Sequence, residues 1–473
     1  MNHLPKRVLP ILICLGLWAG AYKPVSGQSG SYDPARLYSE AELHADLDHY
    51  RQLLLEKHPG LYTYSSISGI DFFFDSLAAG IDRPMTEREF FNLLSTASSR
   101  IRDGHTHIFP SDAAMAFQEE NGRFLPLKIV EYEGKLYTTG CWCSNDAVPP
   151  GAEILGIGDR DAADIWHFMM ERQIRDGYNT SYPEWILNRW FRNYYAFHYG
   201  WSDYYDIRYQ AQGQPARTVR LAAMSNEEIA KCRPPAPGRG QGITLRTDTL
   251  AKTAVLTIRD FHGEVLRSVY GQRFKPVISR HFESINRLGI QDLVIDLRDN
   301  QGGDIGYGAF LLAYLIDRPF KTVEGGYGKV RRNGTAGTER LRNTRGPSRG
   351  WHQPRRHTYK GRLFMLINGG SFSNSAIVCS ALRRYTRCTV VGEESGGNPA
   401  LINGSGNYSA LPNTRIKVLV PDLQFRIQEP ASNNGRGIMP DYTVRPGLAD
   451  QINNQDLVLA FTLNLIHTKR SEK

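Results

Sequence analysis

The sequence is poor in features that would otherwise set its class. It has six cysteines in 473 residues. Beyond its first thirty residues it has no apolar run near the about 18–20 residues a membrane helix needs. Five cysteines remain once an N-terminal leader is removed: Cys141, Cys143, Cys232, Cys379 and Cys388. An odd number at irregular spacing excludes a disulfide framework and leaves room for one unspecified bridge. Cys141 and Cys143 have no second ligand pair nearby, which argues against a metal site, and no cofactor is expected. Hydrophobic residues at 41% and charged residues at 22% exclude a disordered chain.

What is present begins with a leader. Lys6 and Arg7 precede VLPILICLGLWAGAY and then the small, polar VSGQSG. This predicts a signal peptide over residues 1–27 and a periplasmic or secreted protein with no stable membrane span. A membrane anchor is the other reading of this run. Cys14 lies within it, but ILIC lacks the small residues of a lipoprotein box.

The net charge of +9 is local. Lys329–Arg362 holds eleven Lys or Arg against the single Glu339. With its Gly, Pro, Asn and Ser, the stretch reads as a long exposed loop, either merely solvated or drawing in a carboxylate-bearing ligand by its field. Nucleic acid is not an expected partner.

Along the chain, residues 33–115 form a predicted N-terminal helical region. Thr86 and Glu89 make a capping-box pattern, and Asp103–Gly104 ends the last helix. Residues 123–225 are β-rich, with a turn at Glu133–Gly134 and an aromatic stretch from Arg175 to Asp206 that reads as core packing rather than a ligand wall. CRPPAPGRGQG, Cys232–Gly242, reads as a linker. Apolar strands then alternate with amphipathic helices, which predicts an α/β domain over 244–450 with a mostly parallel sheet covered on both faces. A C-terminal helix and tail occupy 451–473.

Three glycine-rich turns follow strands of that domain: DNQGGD, NGGSFSNS and GEESGGNP. Ligands of open α/β sheets bind outside such strand ends, so together the turns predict one pocket. Ser371, Ser373 and Ser375 sit where the second turn becomes a helix. Ser373 or Ser375 can cap that helix. A serine there also stands where free backbone N–H groups converge, as an oxyanion site requires. If Ser373 attacks a carbonyl, the amide of Asn374 is one donor, and Gly302 or Gly303 offers the other. The base must be brought from elsewhere. Of His262, His281, His352 and His357 none sits in these turns, whereas His105 and His107 lie in DGHTHI far upstream.

DLVIDLRDNQGGD, LINGGSFSNSAIVCSAL and VVGEESGGNP, in that order, resemble the core of the S41 serine peptidases, the tail-specific or C-terminal processing family. RIRDGHTHI is similar to that family's N-terminal helical region, PPGAEILGIGD to its PDZ-like module, and GRGIMPDYTV to its closing motif. The resemblance implies a peptidase core of the ClpP/crotonase-like type carrying an inserted PDZ-like domain. It implies a serine-type peptidase acting on peptides or proteins, near their C-termini, with Ser373 as nucleophile and Gly302 or Gly303 with Asn374 as oxyanion hole. Many members place a Lys base after the third strand. Here that position is Asn398, so the Ser–Lys dyad is absent. The tricorn-type branch uses a His, which His105 matches. Its acid falls on Asn434, with Glu429 and Glu393 as substitutes. The departures leave a second expectation, a catalytically weak or inactive peptide-binding protein, and a third, a hydrolase of non-peptide esters.

Overall fold

The computed structural model describes residues 32–142, 147–232, 240–332, 335–341, 350–427 and 434–471. The predicted signal peptide, most of the linker and Glu429 fall outside these segments.

Six strands form the central sheet, in the order Ile243–Asp248, Thr253–Ile258, Asp292–Asp296, Arg362–Ile367, Thr389–Gly392, Tyr442–Thr443. The first pairs antiparallel with the second; every later pairing is parallel. The middle strands are buried on both faces, which explains their unbroken apolar runs. Alternate side chains serve two cores. Leu256, Leu293, Ile295, Met365 and Ile367 pack with the helices Phe274–Arg287, Ile305–Leu312 and Asn374–Tyr385. Val255, Val294, Phe364, Leu366 and Val391 pack with the C-terminal helix Leu457–Ser471. The predicted two-faced sheet is therefore observed.

The helix Glu87–Leu94 starts where the sequence places its cap, in a box of Thr86 and Glu89, and Ser39 and Glu42 close a second box on Glu40–Lys57. Their core is not self-contained. It includes Leu411, Ile416, Val418 and Val420 from the C-terminal half. The strand His107–Phe109 pairs antiparallel with Lys417–Leu419, stitching the N-terminal region onto the α/β domain.

The β-rich segment is an antiparallel sheet of Leu127–Tyr132, Lys135–Cys141, Glu153–Ile157, Tyr204–Gln210 and Arg217–Ala222. Its first hairpin turns at Glu133 and Gly134, both with positive φ (51° and 82°), as a tight two-residue turn demands. The aromatic stretch supplies the helix Ser181–Tyr199, which buries Leu187, Phe191 and Tyr195 against this sheet.

The basic stretch departs from the loop expectation. Gly325–Arg332 and Thr335–Arg340 form a hairpin that joins Leu423–Arg426 and Leu401–Gly404 in a four-stranded sheet. Its polarity and small residues mimic a loop, but edge strands commonly carry cationic side chains. Cys232 is disulfide-bonded, whereas Cys379 and Cys388 are free thiols. No helix among the described residues is long and apolar enough to cross a membrane.

Candidate active site

The three glycine-rich turns interlock. The hydroxyl of Ser371 donates to the Leu297 carbonyl (2.8 Å), and that of Ser375 to the Asn300 carbonyl (2.7 Å). The amide of Phe372 also donates to Asn300 O (3.1 Å), and Gly397 N to Ser371 O (3.2 Å). Two of the three serines thus pin the second turn to its neighbours. Neither caps the helix, and Ser373 makes no capping bond either.

Ser373 stands at the entrance of Asn374–Tyr385 with φ 52° and ψ −118°. Such a backbone costs a non-glycine residue about 1–3 kcal/mol and persists only where its surroundings fix it. The anchored serines on either side do that. Two glycines leave room for it. A Cβ on Gly302, whose φ is 101°, would lie 2.7 Å from Ser373 Cβ, and one on Gly397 would lie 2.9 Å from Ser373 N.

The backbone donors beside Ser373 divide clearly. Gly302 N–H is taken by Asn300 Oδ1 at 2.9 Å. Among the described residues, the amides of Gly303 and Asn374 donate to no protein acceptor; Asn374 heads its helix, where such groups are unsatisfied within the helix.

His105 comes from the other end of the chain. The helix Ala97–Ile101 stops at Arg102, whose φ of 59° reverses the backbone. Asp103–Gly104–His105 then leads into the strand paired with Lys417–Leu419. His105 Nε2 lies 3.2 Å from Ser373 Oγ, across 268 residues of sequence. Phe372 sets the ring: it stacks on His105 (centroids 4.7 Å, 27°) and on its other side against Tyr182 (4.2 Å, 7°). Gly104 admits that contact, since a Cβ there would come within 2.6 Å of Phe372 Cζ.

Burial lowers the pKa of His105 to about 4, against the opposing charge of Asp103. His105 is therefore a neutral imidazole over most of the pH range, as a base must be. His107 serves elsewhere: its Nε2 donates to Gly104 O (3.2 Å), and Nδ1 accepts from the Tyr408 hydroxyl (3.0 Å). His262 pairs with Asp260 at 2.7 Å.

Of the residues expected to orient His105, Asn434 and Glu393 are not at its ring, and Glu429 lies outside the described residues. Asn434 is exposed and uses Oδ1 to accept from Arg436 N (3.0 Å). Glu393 faces Arg445 at 3.5 Å. Asn398, in the dyad-lysine position, accepts from the amides of Ala400 and Leu401 and donates to the Tyr64 hydroxyl. His105 Nδ1 is buried with no hydrogen-bond partner among the described residues.

Sequence reasoning missed two buried carboxyls close to the His105 ring. Asp103, read only as a helix stop, is 3% exposed, and Asp176, within the aromatic stretch, is 4% exposed. One ligand-type atom each of Asp103, Asp176 and His105 lie within 4.8 Å of one another. Internal donors already hold both carboxyls: His58, Thr106 and His105 N–H on Asp103, and the amides of Gly104 and Asn398 on Asp176. A DGH tripeptide after a helix was the only signal for Asp103.

A hydroxyl at a helix entrance, an imidazole on it and free amides beside it, at the strand ends of a parallel sheet, make up the constellation of a serine hydrolase. Residues 252–444 match the model of Peptidase family S41. It is 24% identical over 192 residues to a probable CtpA-like serine protease of Staphylococcus epidermidis, covering 40% of this chain and 33% of that protein. The likeness to a Staphylococcus aureus protein of the same description is 24% over 196 residues, covering 41% and 33%. The match thus spans about a third of the length of these curated relatives. Among solved structures, mature CPAF is similar over 91% of this chain and 98% of its own, with 14% identity and a TM-score of 0.65. CPAF complexed with lactacystin gives 0.67 at 15% identity, covering 91% and 99%. These establish that the likeness of fold extends well beyond the matched segment.

Proposed function

We propose that the protein is a serine-type peptidase that hydrolyses peptide bonds by acyl transfer to water. The observation that carries this reading is the 3.2 Å approach of His105 Nε2 to the Ser373 hydroxyl at a strained helix entrance. Ser373 Oγ attacks the scissile carbonyl while its proton passes to His105 Nε2, which then gives it to the leaving amine. The amides of Gly303 and Asn374 receive the oxyanion; losing one such donor costs about 3–4 kcal/mol in known cases. Water then attacks the acyl-enzyme by the same route in reverse. The branch is the His-using one, because no lysine stands at Asn398.

The antiparallel sheet over 123–225 is taken as the PDZ-like module that presents an extended peptide, near its C-terminus, by strand addition. The disulfide at Cys232 supports an exported protein, since such bonds persist in oxidising compartments. The test is a fluorophosphonate probe followed by peptide mapping. Labelling at Ser373, abolished in Ser373→Ala and strongly reduced in His105→Ala, is the expected result. An unlabelled wild type favours a peptide-binding protein. A free acid and its C-terminal amide cleaved equally well removes the C-terminal preference.

A further inference from the structure

His105 has its acceptor nitrogen on Ser373 and its other nitrogen without a hydrogen-bond partner among the described residues. For Nε2 to accept a proton, Nδ1 must carry one, and the imidazolium that forms needs a fixed negative charge nearby. Asn434 and Glu393 are engaged elsewhere, and Glu429 lies outside the described residues; among the residues described, the carboxyls near His105 are those of Asp103 and Asp176.

We propose that Asp103, locked in place by His58, is the positioning acid of His105. The inference rests on the Ser373–His105 reading given above. His58 is fully buried at the end of the first helix. Its Nδ1 accepts from Gly60 N–H (3.1 Å), and an amide can only donate. His58 is therefore a neutral imidazole whose proton sits on Nε2, aimed at Asp103 Oδ2 3.0 Å away. The Thr106 hydroxyl adds a second donor to the same oxygen (2.6 Å), and His105 N–H a contact to Oδ1 (3.3 Å). Three donors stabilise an ionised carboxylate. Burial pushes the Asp103 pKa up, and the hydrogen bonds from His58 and Thr106 oppose it.

Asp176 is the contrasting case. Burial and the charge of Asp103 push it up to about 7, against the amides of Gly104 and Asn398. Two neighbouring carboxyls pushed apart in this way take different roles. Asp103 carries the charge, and Asp176 ties the His105 loop to the third strand-end turn. The titratable groups facing Asp103 are Tyr50 and His58 from the first helix and its end, His105 and His107 from its own loop, and Asp176. No proton reaches Asp103 during the reaction; it moves from Ser373 to His105 and on to the leaving group.

The test is the rate at which a fluorophosphonate phosphonylates Ser373 in the full chain, with loss of fluoride, over the pH range where circular dichroism shows the fold intact. Asp103→Asn should be phosphonylated about 10²-fold slower. Its acid limb should move to lower pH, because the lost charge no longer favours the imidazolium. Asp176→Asn should leave that limb in place. In a His105→Ala background, Asp103→Asn should have almost no further effect, a non-additivity expected of groups acting through one another. If Asp103→Asn does not fold, the His58 variants decide. His58→Gln keeps a side-chain N–H for Asp103 and should stay close to wild type, whereas His58→Leu should lose about tenfold or more.

Asp103→Asn with wild-type rate and limb, an undiminished effect without His105, or equal rates in the two His58 variants each overturn the inference alone. A wild type not phosphonylated at Ser373, or phosphonylation indifferent to His105, overturns the peptidase reading and this inference with it.

Discussion

Phe372 lies almost parallel to Tyr182, at 4.2 Å between centroids, and carries His105 on its opposite face. The residue between two of the serines is thus the floor on which the base rests, and the aromatic segment of the β-rich region supports that floor. Phe372→Leu should fold but let the imidazole tilt. A fall of about tenfold in probe labelling is expected, from the sensitivity of such reactions to misplacement. Phe372→Ala should also cost about 3–5 kcal/mol in urea unfolding, because the side chain is fully buried.

The three serines should separate cleanly. Ser373→Ala should lose all labelling while unfolding at nearly wild-type denaturant. Ser371→Ala and Ser375→Ala should each lose about 1–3 kcal/mol of stability, since each leaves a buried carbonyl short of a donor. Both should keep labelling at Ser373. Equilibrium unfolding alongside probe labelling checks all three.

Acid should reveal the burial of the base. With the His105 pKa lowered to about 4, labelling of the wild type should hold well below the usual histidine value of 6.5 and fall only toward pH 4. Stability has the same sign. His105 and His107 bind protons less readily folded (both about 4) than unfolded. Their contribution is full above about 6.5 and is lost progressively as pH falls toward 4. Labelling rates and thermal midpoints measured down a pH series should show both declines. A labelling midpoint near 6.5 counts against the buried imidazole.

Gly302→Ala should damage the site more than the fold. The new methyl would press on Ser373 Cβ and Asn374 N at 2.7 Å, at a backbone φ of 101°. Labelling should drop by about 10²-fold or more through displacement of the nucleophile and its neighbouring donor, with overpacking costing about 1–3 kcal/mol. Gly134→Ala is the control, because its Cβ would meet nothing within 4 Å. Strain at its φ of 82° should lower stability without touching labelling.

Much of this architecture was legible because local rules acted alone. The capping box at Thr86, the Glu133–Gly134 turn and the doubly buried strands each follow from a few adjacent residues. The proposed nucleophile, Ser373, stood out because glycines flank it in a fixed pattern. The surroundings of His105 were not. His58, Asp103 and Asp176 are polar residues in three separate segments, and only folding buries them together. The basic hairpin was missed for a different reason: its long side chains and small residues carry no apolar alternation, so pairing with Leu423–Arg426 had no local signature.

The pairing of His107–Phe109 with Lys417–Leu419 bears on biosynthesis. Ser373 and His105 are encoded far apart, and the strand that anchors the His105 loop is translated after Ser373. A ribosome-bound chain therefore cannot hold the two side chains together through this pairing until Lys417–Leu419 has emerged.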